Sequence, residues 1–215
     1  MRKVNLFSAV KPSGGPSLSS PPSCWRTYCP PDSSVDRRIL RAYCIRGPGE
    51  ALATGRNPTD RGKTGTKRHL LTEGKGMPIG VVVSGAQRHD RKKLADLLDA
   101  SLVPYPEDDP NPPEWHLALD RGHDYAACRQ TAQDHHFIAH IPPKASKAQP
   151  LPPPGDPNRH PPRRWVVEVA HSWFNRFRRL LIRWEKQADN YLALVQLAAT
   201  LIIYRKVRHA RSLSG

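Results

Sequence analysis

Apolar and polar positions along this chain alternate with two different periods. Residues 163 to 186, RRWVVEVAHSWFNRFRRLLIRWEK, contain no Pro or Gly, and their apolar residues recur at helical spacing. On a helical wheel Val166, Val169, Ala170, Trp173, Phe177, Leu180, Leu181 and Trp184 share one side. Arg164, Glu168, Ser172, Asn175 and Arg179 share the other, with Arg176 and Arg183 beside them. The pattern predicts one long helix. Residues 191 to 204 are apolar on most sides and predict a buried final helix. Leu94, Leu97, Leu98 and Leu102 follow Asp90, a favourable cap, so residues 90 to 102 predict a helix, and residues 125 to 135 fit another. Runs suited to strands lie at 35–43, 67–71, 77–84, 115–119 and 137–141, and the turn Glu73-Gly74-Lys75-Gly76 makes a hairpin of the second and third. Strand, hairpin, helix, strand, helix, strand and two helices, in that order, predict an α/β fold: an open mixed sheet with helices packed on its faces.

Composition narrows this picture. The 215 residues suffice for one domain with a proper core plus tails. The 23 prolines cluster at 11–31, 104–113 and 142–162, which predicts loops or linkers there. Residues 1–34, rich in Ser and Pro, are expected to be disordered; residues 35–207 form the folded domain and residues 208–215 a basic tail. The net charge of +15 calls for a polyanionic partner, nucleic acid first. The final apolar stretch contains Gln196 and Thr200 and is too short to span a bilayer, and the N-terminus lacks the apolar run of a signal peptide. A cytoplasmic protein without a membrane partner is expected. Cys24, Cys29, Cys44 and Cys128 form no C-x-x-C pair and read as free thiols.

Two carboxylates stand out. Glu168 is the one acid on a helix face otherwise supplied with arginines; it reads either as a surface partner of Arg164 at i, i+4 or as a metal ligand. Asp120 ends an apolar strand before Arg121-Gly122; it reads either as a turn former or as a carboxylate at a strand end, where open sheets bind ligands. The cations form three groups: Arg61, Lys63, Lys67 and Arg68 around the hairpin, Arg163, Arg164, Arg176, Arg178, Arg179 and Arg183 on the long helix, and Arg205, Lys206, Arg208 and Arg211 in the tail. The preference for Arg on the helix suits bidentate phosphate contacts, so Arg61, Lys63, Lys67, Arg68, Arg164, Asn175, Arg176, Arg179 and Arg183 are the candidate DNA-binding residues.

The wording of several segments resembles a known family. Arg164-Trp165-Val166-Val167-Glu168, continued by His171-Ser172-Trp173-Phe174-Asn175-Arg176-Phe177-Arg178-Arg179 and Arg183-Trp184-Glu185-Lys186, is similar to the glutamate-bearing helix of bacterial insertion-sequence transposases of the DDE class, in the branch called the IS-five family. Asn57-Pro58-Thr59-Asp60-Arg61-Gly62-Lys63, Gly65-Thr66-Lys67-Arg68-His69-Leu70-Leu71 and Leu119-Asp120-Arg121-Gly122 resemble the same family, in order, from about residue 55 to 207. The resemblance implies a ribonuclease H-like fold, with three carboxylates holding two Mg²⁺ or Mn²⁺ ions for cleavage and strand transfer of an insertion sequence. Asp120 and Glu168 match two of those acids. The first belongs on the first strand, where Asp36 is assigned and Asp60 is the runner-up. Double-stranded DNA, as element ends and target, is the implied partner, and a homodimer is compatible with it. The chain departs from the family at Val169-Ala170, where Arg and Thr usually follow the glutamate, and in residues 1–35, where a helical region is usual. A non-catalytic DNA-binding remnant is therefore the alternative.

Overall fold

The period-two runs become six strands of one mixed sheet: β1 (Val35–Arg46), β2 (Gly55–Arg56), β3 (Thr64–Glu73), β4 (Pro78–Gly85), β5 (Glu114–Ala118) and β6 (Phe137–His140). Helices α1 (Leu94–Asp99, after a 3₁₀ turn at Asp90–Lys93), α2 (Ala126–Asp134), α3 (Arg164–Asn175) and α4 (Ala188–Leu213) complete the chain. This computed structural model describes residues 35–49, 51–58, 60–106, 109, 111–142 and 164–213, and of residues 35–37, 164, 210, 211 and 213 it describes the backbone alone. The Ser/Pro-rich segment and all but the first residue of the Pro-rich stretch 142–162 lie outside the described residues, as does the side chain of Asp36.

β1 occupies the centre of the sheet, antiparallel to β3 on one side and parallel to β5 on the other. β4 and the short β2 both pair antiparallel with β3, and β6 runs parallel beside β5. Successive residues of a strand point to opposite faces, and here both faces are covered. Ile39, Ile45, Leu70 and Val81 pack with Val166, Val167, Ala170 and Phe174 of α3 and with Tyr191, Val195 and Ile202 of α4. Their neighbours Leu40, Leu71 and Ile79 face the other way, onto Leu94, Leu97 and Leu98 of α1 and Cys128 and Ala132 of α2. Such side chains each contribute about 1.5–3 kcal/mol when fully buried. At the hairpin turn Gly76 has φ +90°, and Val166 and Trp173 of α3 close over the space where a side chain would stand. Only a glycine fits that turn without strain.

The long helix expected over 163–186 is divided. α3 stops at Asn175, Arg178–Leu180 make a 3₁₀ turn, and residues 186–187 form a bend before α4. No Pro or Gly marks the break; tertiary hydrogen bonds make it. The Arg183 N–H donates to the Arg46 carbonyl at 2.8 Å, beside a parallel bridge from Arg46 to Ile182. Continuing the helix would have cost this connection between the end of β1 and the entry to α4. Among the described residues, no helix is long and apolar enough to cross a membrane.

Candidate active site

β5 ends at Ala118, and two residues later Asp120 caps a 3₁₀ turn over Arg121–His123. Its Oδ1 accepts the Gly122 N–H at 3.0 Å and the Nδ1–H of buried His123 at 2.6 Å. A carboxylate only accepts, so Nδ1 carries the hydrogen. The His123 bond is the largest cause holding the Asp120 carboxyl below its ordinary range; burial opposes it, and the Gly122 N–H and the positive charge of Arg41 assist. Asp120 is thus fixed as an anion by a local turn.

Glu168 comes from α3 and is exposed. Its Oε1 accepts from Arg41 Nη1 on the central strand, an ion pair between residues 127 apart in sequence. Arg41 shares the face of β1 that carries Ile39 and Ile45, the face covered by α3. One turn further along α3, His171 fixes the crossing: its ring stacks on Tyr43 with centroids 5.4 Å apart, and its Nε2–H donates to the Arg41 carbonyl at 3.3 Å. Burial pushes the His171 pKa down to about 3, with the charge of Arg68 adding to the effect, so the ring is neutral.

The parallel register between β1 and β5 locates the remaining acid. Asp36 pairs with Trp115 and Ile39 with Ala118. Continued beyond the strand, that register brings Arg41 level with Asp120. The Asp36 backbone lies five residues earlier, roughly 16 Å away at ~3.3 Å per residue. Asp60 sits in the loop between β2 and β3, where it pairs with Lys63 at 3.5 Å. Arg41 therefore links the two acids: it pairs with Glu168 and its charge reaches Asp120. Arg41 and His123 were not picked out from the sequence. The spacing of His123, three residues after Asp120, was a readable local signal; nothing local announced Arg41.

The expected DNA-binding residues divide sharply. Arg61, Lys63, Arg176 and Arg179 are exposed, with Arg179 Nε bonded to Glu185 at 3.0 Å. Lys67 is held by Asp90 and the Arg88 carbonyl, both at 2.8 Å. The side chain of Arg164 lies outside the described residues. Arg68 and Arg183, expected at a phosphate-holding surface, are buried instead. Arg68 Nη2 donates to Asn175 at 3.2 Å, which also engages Asn175 inside the fold. Arg183 donates to Thr66 Oγ1 and to the carbonyls of Ala53, Glu185 and Lys186.

A carboxylate past the end of the strand beside the central one, and a glutamate on the helix that crosses the central strand, are residues of the kind that phosphate chemistry uses. Residues 33–203 match the family described as the transposase DDE domain. The chain is also 34% identical over 162 residues to a Burkholderia cepacia protein named "Putative transposase for insertion sequence element IS402", covering 73% of this chain and 71% of that one. This chain belongs to the DDE-class insertion-sequence transposases. In this transposase, however, the cation placed against Glu168 is a guanidinium. Among the described residues, no group of three His, Cys, Asp or Glu side chains stands together to hold a metal ion. Asp120 and Glu168 alone do not make a two-ion site, because hard divalent ions need several oxygen ligands and Arg41 takes up the glutamate's charge; the side chain of Asp36 lies outside the described residues.

Proposed function

We propose that this chain is a duplex-DNA-binding transposase domain whose reaction centre, Asp120 with Glu168, rests in a closed state. The observation that carries the proposal is the Arg41–Glu168 ion pair, formed at the level of Asp120. The strand order, with β3 antiparallel between β1 and β4 and with β5 and β6 parallel to β1, supports reading the fold as ribonuclease H-like. The exposed guanidiniums of Arg61, Arg176, Arg205 and Arg208 supply bidentate phosphate donors. Phosphate contacts position a protein on DNA but carry no sequence information, so binding tolerates any sequence. Cytoplasmic placement fits such a partner.

Metal-dependent cleavage and strand transfer by Asp36, Asp120 and Glu168 is the second reading. It is favoured by family membership, since transposases of this class generally use divalent metals, and by the action of one guanidinium on both Asp120 and Glu168. A single set of measurements separates the two readings. Fluorescent duplexes, with and without candidate element ends, are titrated across salt concentrations and then assayed for nicking and end joining in Mg²⁺ or Mn²⁺. Neutralising about four phosphates predicts a log–log salt slope of roughly −3.6, at ~0.9 per phosphate. Binding independent of salt would overturn the DNA-binding proposal. Efficient end joining, or a preference for element ends of about a thousandfold, would establish the second reading in its place.

A further inference from the structure

We propose that Arg41 is a built-in counter-ion that closes the Asp120–Glu168 pair against divalent cations, and that removing its charge opens a cation site there. The inference rests on the reading of these two carboxylates as the reaction centre. It goes beyond that reading by assigning a role to a residue that is neither an acid nor on the exposed DNA-binding surface.

Three observations converge on this role. Arg41 Nη1 bonds Glu168 directly. Its position on β1 comes level with Asp120 when the β1–β5 register is extended, and its charge reaches Asp120 as one of the influences favouring the ionised form. A fixed positive charge among carboxylates satisfies them as a metal would, and it repels an arriving dication twice as strongly as it would repel a monovalent ion. The strand and helix that carry the pair are held together independently of it. His171 stacks on Tyr43 and donates to the Arg41 carbonyl, and Phe174 and Val167 bury themselves beneath. The crossing of α3 over β1 therefore survives loss of the guanidinium. The side chains of Arg41 and Glu168 are 36% and 54% exposed. An ion pair so accessible to water is weak and screened by salt, so the closure can be released.

The test measures Mn²⁺ binding to the full chain by electron paramagnetic resonance and calorimetry, without any activity readout. Arg41→Gln removes the charge and keeps much of the stem; Arg41→Lys keeps the charge. Thermal melts of each variant establish that it is folded. Arg41→Gln is expected to bind Mn²⁺ at least about tenfold more tightly than the native protein, a gain consistent with removing a unit charge a few ångströms from a dication. Arg41→Lys is expected to remain close to native. Adding Glu168→Gln or Asp120→Asn to Arg41→Gln should erase the gain, which places the ion on these carboxylates. Equal Mn²⁺ affinity in the native and Arg41→Gln proteins would overturn the proposal, as would a gain that persists in the Glu168→Gln double variant. Loss of duplex binding alone would count against the DNA-binding reading and leave this inference standing.

Discussion

The arginines of this chain occupy two environments that a composition count merges. Arg38, Arg68 and Arg183 are almost fully buried, whereas Arg61, Arg176, Arg178 and Arg179 stand in water. The buried three serve the fold in different ways. Arg38 lies over the Trp115 ring at 3.5 Å and donates to Ser101. Arg183 ties the β2 region to the entry of α4 through four acceptors. Arg68 is packed between Phe174 and Tyr43, donates Nη2 to Asn175 and has the Tyr191 hydroxyl as a further hydrogen-bonding neighbour. Its burial holds its pKa below the usual range. The lesson is that a +15 charge overstates the surface available to a polyanion. Part of it is spent on internal joints, and only the exposed group can release counterions from DNA.

The largest effect is expected when an internal joint is broken. Arg183→Ala leaves Thr66 and three carbonyls short of donors and should destabilise the fold by about 2–4 kcal/mol. At about 2–4 °C per kcal/mol for a protein of this size, the melting temperature should fall by roughly 4–16 °C. Arg68→Met sharpens the contrast. Arg68 has fewer hydrogen bonds to lose than Arg183, and methionine keeps an apolar side chain of similar length, so its melt should lie closer to native than that of Arg183→Ala. A fall as deep as that of Arg183→Ala would show that Arg68 is as well satisfied as Arg183.

Acid should act on both faces of the sheet, through His171 on the side covered by α3 and His69 on the side covered by α1. His171 titrates near 3 and His69 near 4, both pushed down chiefly by burial from an ordinary 6.5. With the folded pKa below the unfolded one, the fold must keep these rings neutral. Their contribution is complete above pH 6.5 and is lost as the pH falls, from 6.5 towards 4 for His69 and towards 3 for His171. Each can add a slope of up to about 1.4 kcal/mol per pH unit in that window. Asp120, whose carboxyl is held low, works in the same direction: its contribution is present above its unfolded value and fades as it protonates. Denaturant melts from pH 8 to 4 should show stability declining below about pH 6.5, and His171→Phe should flatten the decline. A profile level down to about pH 4 in the native protein would contradict this account.

The smallest effect on stability should come from the exposed group. Arg176→Ala with Arg179→Ala should leave the melt within about 0.5 kcal/mol of native, while the salt slope of duplex binding becomes shallower by roughly 1 for each phosphate no longer neutralised. Arg179 is the weaker candidate of the two, since Glu185 already accepts from it. An unchanged slope in the double variant would move the DNA surface elsewhere, with Arg61 and the far end of α4 next in line.

Much of the architecture was legible from local pattern. The hairpin, β5, α2 and β6 fall within a few residues of their expected bounds, because alternating Val, Ile and Leu between Gly-rich turns fix strand ends, and because Asp120 had both a strand before it and a glycine after it. Asp120's fixation by His123 was also within reach of the sequence, being a turn of four residues. By itself, then, the sequence determined the periods of the strands and the two acids worth watching; on α3 it misassigned part of the covered face, since Val169 is exposed while Val167 and Phe174 are buried. Only the tertiary structure decided which face is covered, and so buried Arg68 and Arg183. It also ended α3 at Asn175, where hydrogen bonds between distant segments outweigh an uninterrupted helical pattern. The same kind of contact brought Arg41 to Glu168 across 127 residues. Periodicity describes how neighbours along the chain are oriented; it holds no information on which distant charge a carboxylate will meet.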